Sequence, residues 1–193
     1  MNKNSNTYQI IYSAIMVVLV GAVLALIYMS LKPLQDENIA NDKRKQILTA
    51  LHVATASDAE VKAAYEKYIV QDMLVSGTGE VVDTTAGCAF DVNMASNVKL
   101  AAADRKLPVL KCKTDDGSTK YVIPVYGAGL WGPIWGYIAI ADDGSTVYGA
   151  NFSHKGETPG LGARITEEFF LDAFKYKQLF KDSKFTNVEV VKK

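Results

Sequence analysis

Histidine and cysteine are scarce in this chain, with two of each among 193 residues. His52 and His154 stand far apart, so a histidine-based metal site is not supported. Cys88 and Cys112 show neither metal-ligand spacing nor a redox Cys-x-x-Cys. They could pair in an oxidising compartment or stay two free, partly buried thiols, and the spacing leaves both readings open. No local signature accompanies any candidate nucleophile, which leaves Ser/His/Asp and Cys/His catalysis unmotivated. An excess of one charge is missing too: Lys+Arg and Asp+Glu are both 21. No basic run interleaves with aromatics, so nothing suggests a nucleic-acid footprint. No internal repeat or low-complexity segment is present. A chain of this length, 49% hydrophobic, can form one core-bearing domain plus a membrane segment but not two full domains.

Charge is wholly absent between Lys3 and Lys32, where Tyr8 to Ser30 is mostly Ile, Val, Leu, Ala and Met. As a helix this stretch spans roughly 34 Å at about 1.5 Å per residue, enough for a bilayer core of about 30 Å. The competing readings are a cleaved signal peptide and a buried core helix. The run is longer than a signal h-region and no Ala-x-Ala site follows it. Residues 1–32 are therefore read as an amino-terminal tail and a retained single-pass anchor, with Tyr8, Tyr12 and Tyr28 near its ends, where amphipathic aromatics favour the interface. Only Lys3 precedes the helix, whereas Lys32, Lys43, Arg44 and Lys45 follow it. A simple positive-inside count would put the large domain in the cytoplasm.

Pro33 is expected to restart the chain, and Ile39, Ile47, Leu48 and Leu51 predict a helical stalk over residues 33–56. The domain then occupies residues 57–193. Ser57-Asp58-Ala59-Glu60 has the form of a capping box, predicting a helix that ends near Gln71. Gly77 and Gly79 break the chain, and Glu80 to Lys113 mixes short apolar runs with turn residues, giving no clear elements. Strands are predicted over Lys120–Val125, Ile134–Ala141 and Thr146–Ser153, with a glycine-rich loop from Tyr126 to Pro133 and a turn at Asp142–Ser145. Thr166-Glu167-Glu168 is expected to cap a helix continuing to Phe180, and Phe185 to Val191 to form a final strand. Strands clustered between helices without βαβ alternation predict an antiparallel α+β domain.

Gly127-Ala128-Gly129-Leu130-Trp131-Gly132 matches the Gly-x-Gly-x-x-Gly of dinucleotide-binding folds. That fingerprint needs a helix to start at its last glycines. Here Pro133 follows at once, and then a strand-like run, so a Rossmann site is not expected. Further on, Thr158-Pro159-Gly160-Leu161 reads as a type II turn, because Pro159 presets φ near −65° and Gly160 readily takes φ > 0. An ordinary surface turn with Glu157 as a solvated acid is the plain alternative. His154, just before it, is expected to be an exposed loop histidine.

The full string Gly156-Glu157-Thr158-Pro159-Gly160-Leu161-Gly162 resembles the signature of the FMN-binding domain in the C subunit of the sodium-translocating NADH:quinone reductase. Gly129-Leu130-Trp131 lies upstream at the spacing that family shows. The amino-terminal third is similar as well, with a membrane helix followed by Pro33, Gln35, Asn38, Asp42, Ile47 and Leu48. The resemblance implies an FMN-carrying electron-transfer protein, with the other components of a membrane complex as partners and the soluble domain on the outer side of the bacterial inner membrane. That orientation opposes the charge count.

For the ligand loops, the resemblance implies that the flavin's flat apolar plate is approached by glycine backbone and covered on one face by Leu161. Leu130 and Trp131 form a second wall, Glu157 accepts from the ring N3–H, and Thr158 donates to the ligand or caps the turn. Amides around Gly160 and Gly162 bind ring carbonyls or a phosphate. In that family the FMN phosphate is esterified to a threonine of a Ser-Gly-Ala-Thr type motif, and residues 1–193 contain none. Ser76-Gly77-Thr78-Gly79 lies far upstream and lacks the alanine. The expectation is therefore a fragment carrying no covalent flavin, with loss of flavinylation as the alternative. Two other functional readings stay open: the G subunit of the related ion-translocating electron-transport complex, which shares Glu157 to Gly162, and a non-redox anchored scaffold or binding module.

Overall fold

The computed structural model describes residues 5–182 and 184–186 and falls into two compact units, Met1–Asp42 and Lys43–Lys193. One helix, α1 (Asn6–Ala50), fills the first and contributes its last residues to the second. Its apolar run leaves Val17, Leu26 and their neighbours exposed, and it is long and apolar enough to cross a membrane. Pro33 does not restart the chain as expected but lies inside the helix. The missing proline N–H frees one carbonyl, a local loss that long apolar helices tolerate.

The end of α1 is a core helix. Ile47, Leu48, Ala50 and Leu51 are buried, and Ile47 clusters with Leu110, Cys112, Val122, Tyr137 and Ala139 of the sheet. Trp135 Nε1 donates to Gln46 Oε1 at 3.1 Å, fixing the helix against the same face. Gly149 lets the two come together: a Cβ there would sit 2.3 Å from the Ala50 carbonyl oxygen.

Helix α2 (Asp58–Tyr68) follows, three residues shorter than expected. Ser57 occupies the N-cap without a side-chain bond, and Glu60 instead accepts from the Ala56 N–H at 3.0 Å. Ile69 begins a strand instead of extending the helix. Strand β1 (Ile69–Val75) thus takes over the end of the expected helix, and strands β2 (Val81–Asp83) and β3 (Leu107–Lys113), with the short helix α3 (Met94–Asn97) between them, occupy the stretch from Glu80 to Lys113 in which the sequence gives no clear elements. Strands β4 (Thr119–Ala128), β5 (Pro133–Ala141) and β6 (Val147–His154) complete a six-stranded antiparallel sheet of order β2-β1-β3-β4-β5-β6. The α+β expectation holds.

Beyond β6, a 3-10 turn (Gly162–Thr166) leads into α4 (Glu168–Asp172), far shorter than the helix expected to run to Phe180. Phe170 and Phe174 pack against Phe152 with centroids 5.9 and 5.0 Å away. The chain then turns at Tyr176, φ 61°, so that Tyr176 N donates to the Val147 carbonyl and Val147 N to that of Lys177. Pairing with the sheet thus replaces further helix. Further on, the chain forms the small ladder β7 (Phe180–Lys181) and β8 (Lys184–Phe185); of the strand expected over Phe185 to Val191, Phe185 lies in β8, Thr186 lies in no strand, and the rest lies outside the described residues. Both cysteines are free, Cys112 in the core. Burial pushes the Cys112 thiol up to about 12 and the Tyr137 phenol likewise to about 12.

Candidate functional site

Two loops meet at one end of the β4–β5–β6 ladder. Strand β4 pairs with β5 as far as Ala128↔Pro133, which leaves a four-residue connection, Gly129 to Gly132, closed by Gly129 N donating to the Gly132 carbonyl at 2.8 Å. The strands are longer, and the loop shorter, than the sequence suggested. Pro133 opens β5 directly, so the helix that a dinucleotide fingerprint needs is replaced by a strand.

On the adjacent strand, β6 pairs with β5 to His154↔Ile134, and Lys155 N donates to the Pro133 carbonyl at 3.0 Å. This bond brings the start of the second loop, Gly156 to Gly162, beside the first. Within it, Leu161 N donates to the Thr158 carbonyl at 3.1 Å and Gly160 has φ 74°. Those are the marks of the type II turn expected from Pro159-Gly160.

The side chains sort into two groups. Leu130, Trp131 and Leu161 are 83%, 68% and 73% exposed, on loops whose backbones are tied to the sheet. Glu157 is only 8% exposed, so it is not the solvated loop acid of the plain alternative. Its Oε1 accepts from the Trp131 N–H at 2.9 Å, a contact across 26 residues that no local pattern signals. His154 is half-buried rather than exposed, and its Nδ1 accepts from Glu157 N at 3.2 Å. Proximity to the motif was the only sequence signal for His154, and it did not suggest this role. Thr158 and Gly160 lie exposed on the turn beside Leu161.

The Glu157 carboxyl group is seated between two glycines. A Cβ at Gly129 would stand 2.4 Å from Oε1, and one at Gly162 would stand 2.6 Å from Oε2. At Gly160 a Cβ would meet nothing within 4 Å, and there only the positive φ demands glycine. The arrangement is thus three bare apolar side chains on two braced loops, with exposed backbone between them. A flat ligand with an apolar face and polar edges fits it. Among the described residues no group of three or more His, Cys, Asp or Glu could hold a metal ion.

An FMN-binding domain model matches residues 129–192, from the first loop to near the end of the chain. Over 176 residues the chain is 30% identical to the C subunit of the Na(+)-translocating NADH-quinone reductase of Vibrio anguillarum, a match covering 84% of this chain and 68% of that protein. It is 33% identical over 181 residues to the C subunit of Haemophilus ducreyi, covering 85% and 70%. The crystal structure of the C subunit from Parabacteroides distasonis superposes with a TM-score of 0.76 at 41% identity, covering 84% of this chain and 77% of that one. The crystal structure of Shewanella oneidensis NqrC gives 0.65 at 29% identity, covering 78% and 76%.

Proposed function

Because this chain belongs to the C-subunit family of the Na(+)-translocating NADH-quinone reductase, we propose that its two loops seat FMN, with Leu130 and Trp131 as one wall and Leu161 as the other. The chain is the FMN-binding, membrane-anchored electron-transfer component of an oxidoreductase complex, and the other subunits of that complex are its partners. These relatives are all C subunits, so the G-subunit reading is not favoured. When bound, the flavin supplies the redox chemistry by accepting and passing on electrons. The chain's own residues bind and orient it: apolar side chains cover ring faces, Thr158 and the amides near Gly160 and Gly162 meet polar edges, and α1 holds the domain at the membrane.

The observation that carries the site is the exposure of Leu130, Trp131 and Leu161 together on loops already fixed to the sheet. Exposed apolar side chains grouped on a rigid frame mark a surface that something covers. We place the domain on the outer side of the bacterial inner membrane. The charge count that opposes this carries little weight, because long domains translocate largely regardless of charge. In the folded domain those cations have contacts of their own: Lys43 donates to the Phe90 carbonyl, Arg44 lies 5.5 Å from the Phe90 ring, and Lys45 pairs with Asp58 at 2.5 Å. For the flavin phosphate we assign no ester acceptor within residues 1–193. Ser76 to Gly79 forms the β1–β2 turn, at the sheet edge opposite β6.

The test is a titration of the detergent-solubilised chain with FMN, followed by flavin fluorescence and then by a denaturing gel. Saturable quenching with no fluorescent band on the gel is expected. Absence of quenching overturns the site and favours the scaffold reading; a fluorescent band would reveal an acceptor within residues 1–193.

A further inference from the structure

The polar contacts of Glu157 lead to a role different from that of a flavin-edge acceptor. One Glu157 carboxyl oxygen accepts the Trp131 N–H, the backbone N–H of Glu157 itself donates to His154 Nδ1, and glycines at 129 and 162 leave room for the two oxygens. The side chain is 8% exposed, and it is the polar link between a loop that carries Leu130 and Trp131 and one that carries Leu161. We infer that Glu157 is a positioning residue: it clasps the two loops so that the Leu130-Trp131 wall and the Leu161 wall stand at a fixed separation before any ligand arrives. The inference rests on the assignment of FMN to these loops.

The reason is energetic as well as geometric. Three apolar side chains with this much exposure gain nothing by staying apart in water, and on unlinked loops they would collapse onto one another. A buried hydrogen bond to a backbone N–H opposes that collapse, because breaking it leaves a desolvated donor and acceptor unpaired. The loops are then ordered in advance, and less of the binding free energy is spent on ordering them. The glycines follow from the same requirement, since a methyl group at 129 or 162 would displace the carboxyl group from its seat.

Two measurements on the full chain in detergent test this, neither of which uses activity. The first is hydrogen exchange at the Trp131 amide without ligand; the second is FMN affinity by fluorescence titration. Glu157→Gln keeps an oxygen acceptor of the same reach, so it should retain both amide protection and affinity. Glu157→Ala should lose roughly ten- to a hundredfold in Trp131 protection, the loss expected when a buried polar pair is broken, and weaken FMN in step. If Glu157→Ala weakens FMN while Trp131 stays protected, Glu157 is a direct ligand contact and the clasp is wrong. If protection falls but affinity does not, the link exists without positioning the site, and the inference fails. A wild-type chain that binds no FMN would overturn the site assignment instead, and the exchange data would still decide whether Glu157 joins the loops.

Discussion

The chain exposes apolar side chains in two places that are built in opposite ways. Along α1, Val17 is 72% and Leu26 69% exposed, among many like them on every side of one regular helix. In the loops, Leu130, Trp131 and Leu161 are exposed to a similar degree, but on short irregular segments pinned by Lys155 to Pro133 and by Glu157 to Trp131. Exposure alone does not distinguish them; the backbone does. A helix satisfies its own N–H and C=O groups and can enter lipid. An irregular loop cannot do so, and on the proposed reading its bare side chains are covered by a discrete ligand that meets both apolar faces and free backbone.

The largest effect should separate the two places outright. The intact chain should stay with membranes through alkaline carbonate, whereas deletion of residues 1–32 should release the domain to the soluble fraction, as judged by immunoblot. An intact chain recovered soluble and uncleaved would mean that α1 is not an anchor.

Alkali should split them in a second way. Cys112 and Tyr137 have folded-state values near 12, above the ordinary thiol and phenol, so the native core binds protons that the unfolded chain releases. That stability is complete below about pH 9 and declines as pH rises toward 12. Near-ultraviolet circular dichroism of the domain should therefore collapse over this window while the chain stays in the membrane. Stability that is flat across it would contradict the burial of these two groups.

A finer contrast lies within the second loop. Gly162→Ala drives a methyl group against Glu157 and should lower stability or loop order by about 1–3 kcal/mol. Gly160→Ala meets open space and carries only the strain of φ 74°, about 1–2 kcal/mol. Thermal melts alone would not separate the two, but Trp131 exchange should quicken only in Gly162→Ala, and equal exchange would mean that the seat of the Glu157 carboxyl group does not matter.

Much of this could be read before folding. The anchor was legible because lack of charge over a bilayer's length needs no partner to interpret. Strands β4, β5 and β6 were legible because turn residues such as Asp142 to Ser145 bracket them. Strand β1 was not, since Ile69 continues the apolar spacing of α2 and only its pairing with Cys112 of β3 makes it a strand. The helix after Thr166 was overextended for the converse reason. Phe169, Phe170, Ala173 and Phe174 have helical spacing, yet Tyr176 and Lys177 gain backbone bonds to Val147 by leaving the helix. At the site, Glu157 and Leu161 stood out in the signature string, and Leu130 and Trp131 in the first loop. The hydrogen bond joining them depends on strand register, and sequence at one loop carries no record of the other.

Everything at the site turns on whether Leu161 and Trp131 are bare because FMN covers them. The most direct measurement is FMN affinity of Leu161→Ala and Trp131→Ala in the full chain, each paired with far-ultraviolet circular dichroism. Covering a leucine or an aromatic side chain is worth about 1.5–3 kcal/mol when complete. Each variant should therefore bind FMN about ten- to a hundredfold more weakly with an unchanged spectrum of the fold. Wild-type affinity in both variants would contradict the claim that these two loops hold the flavin.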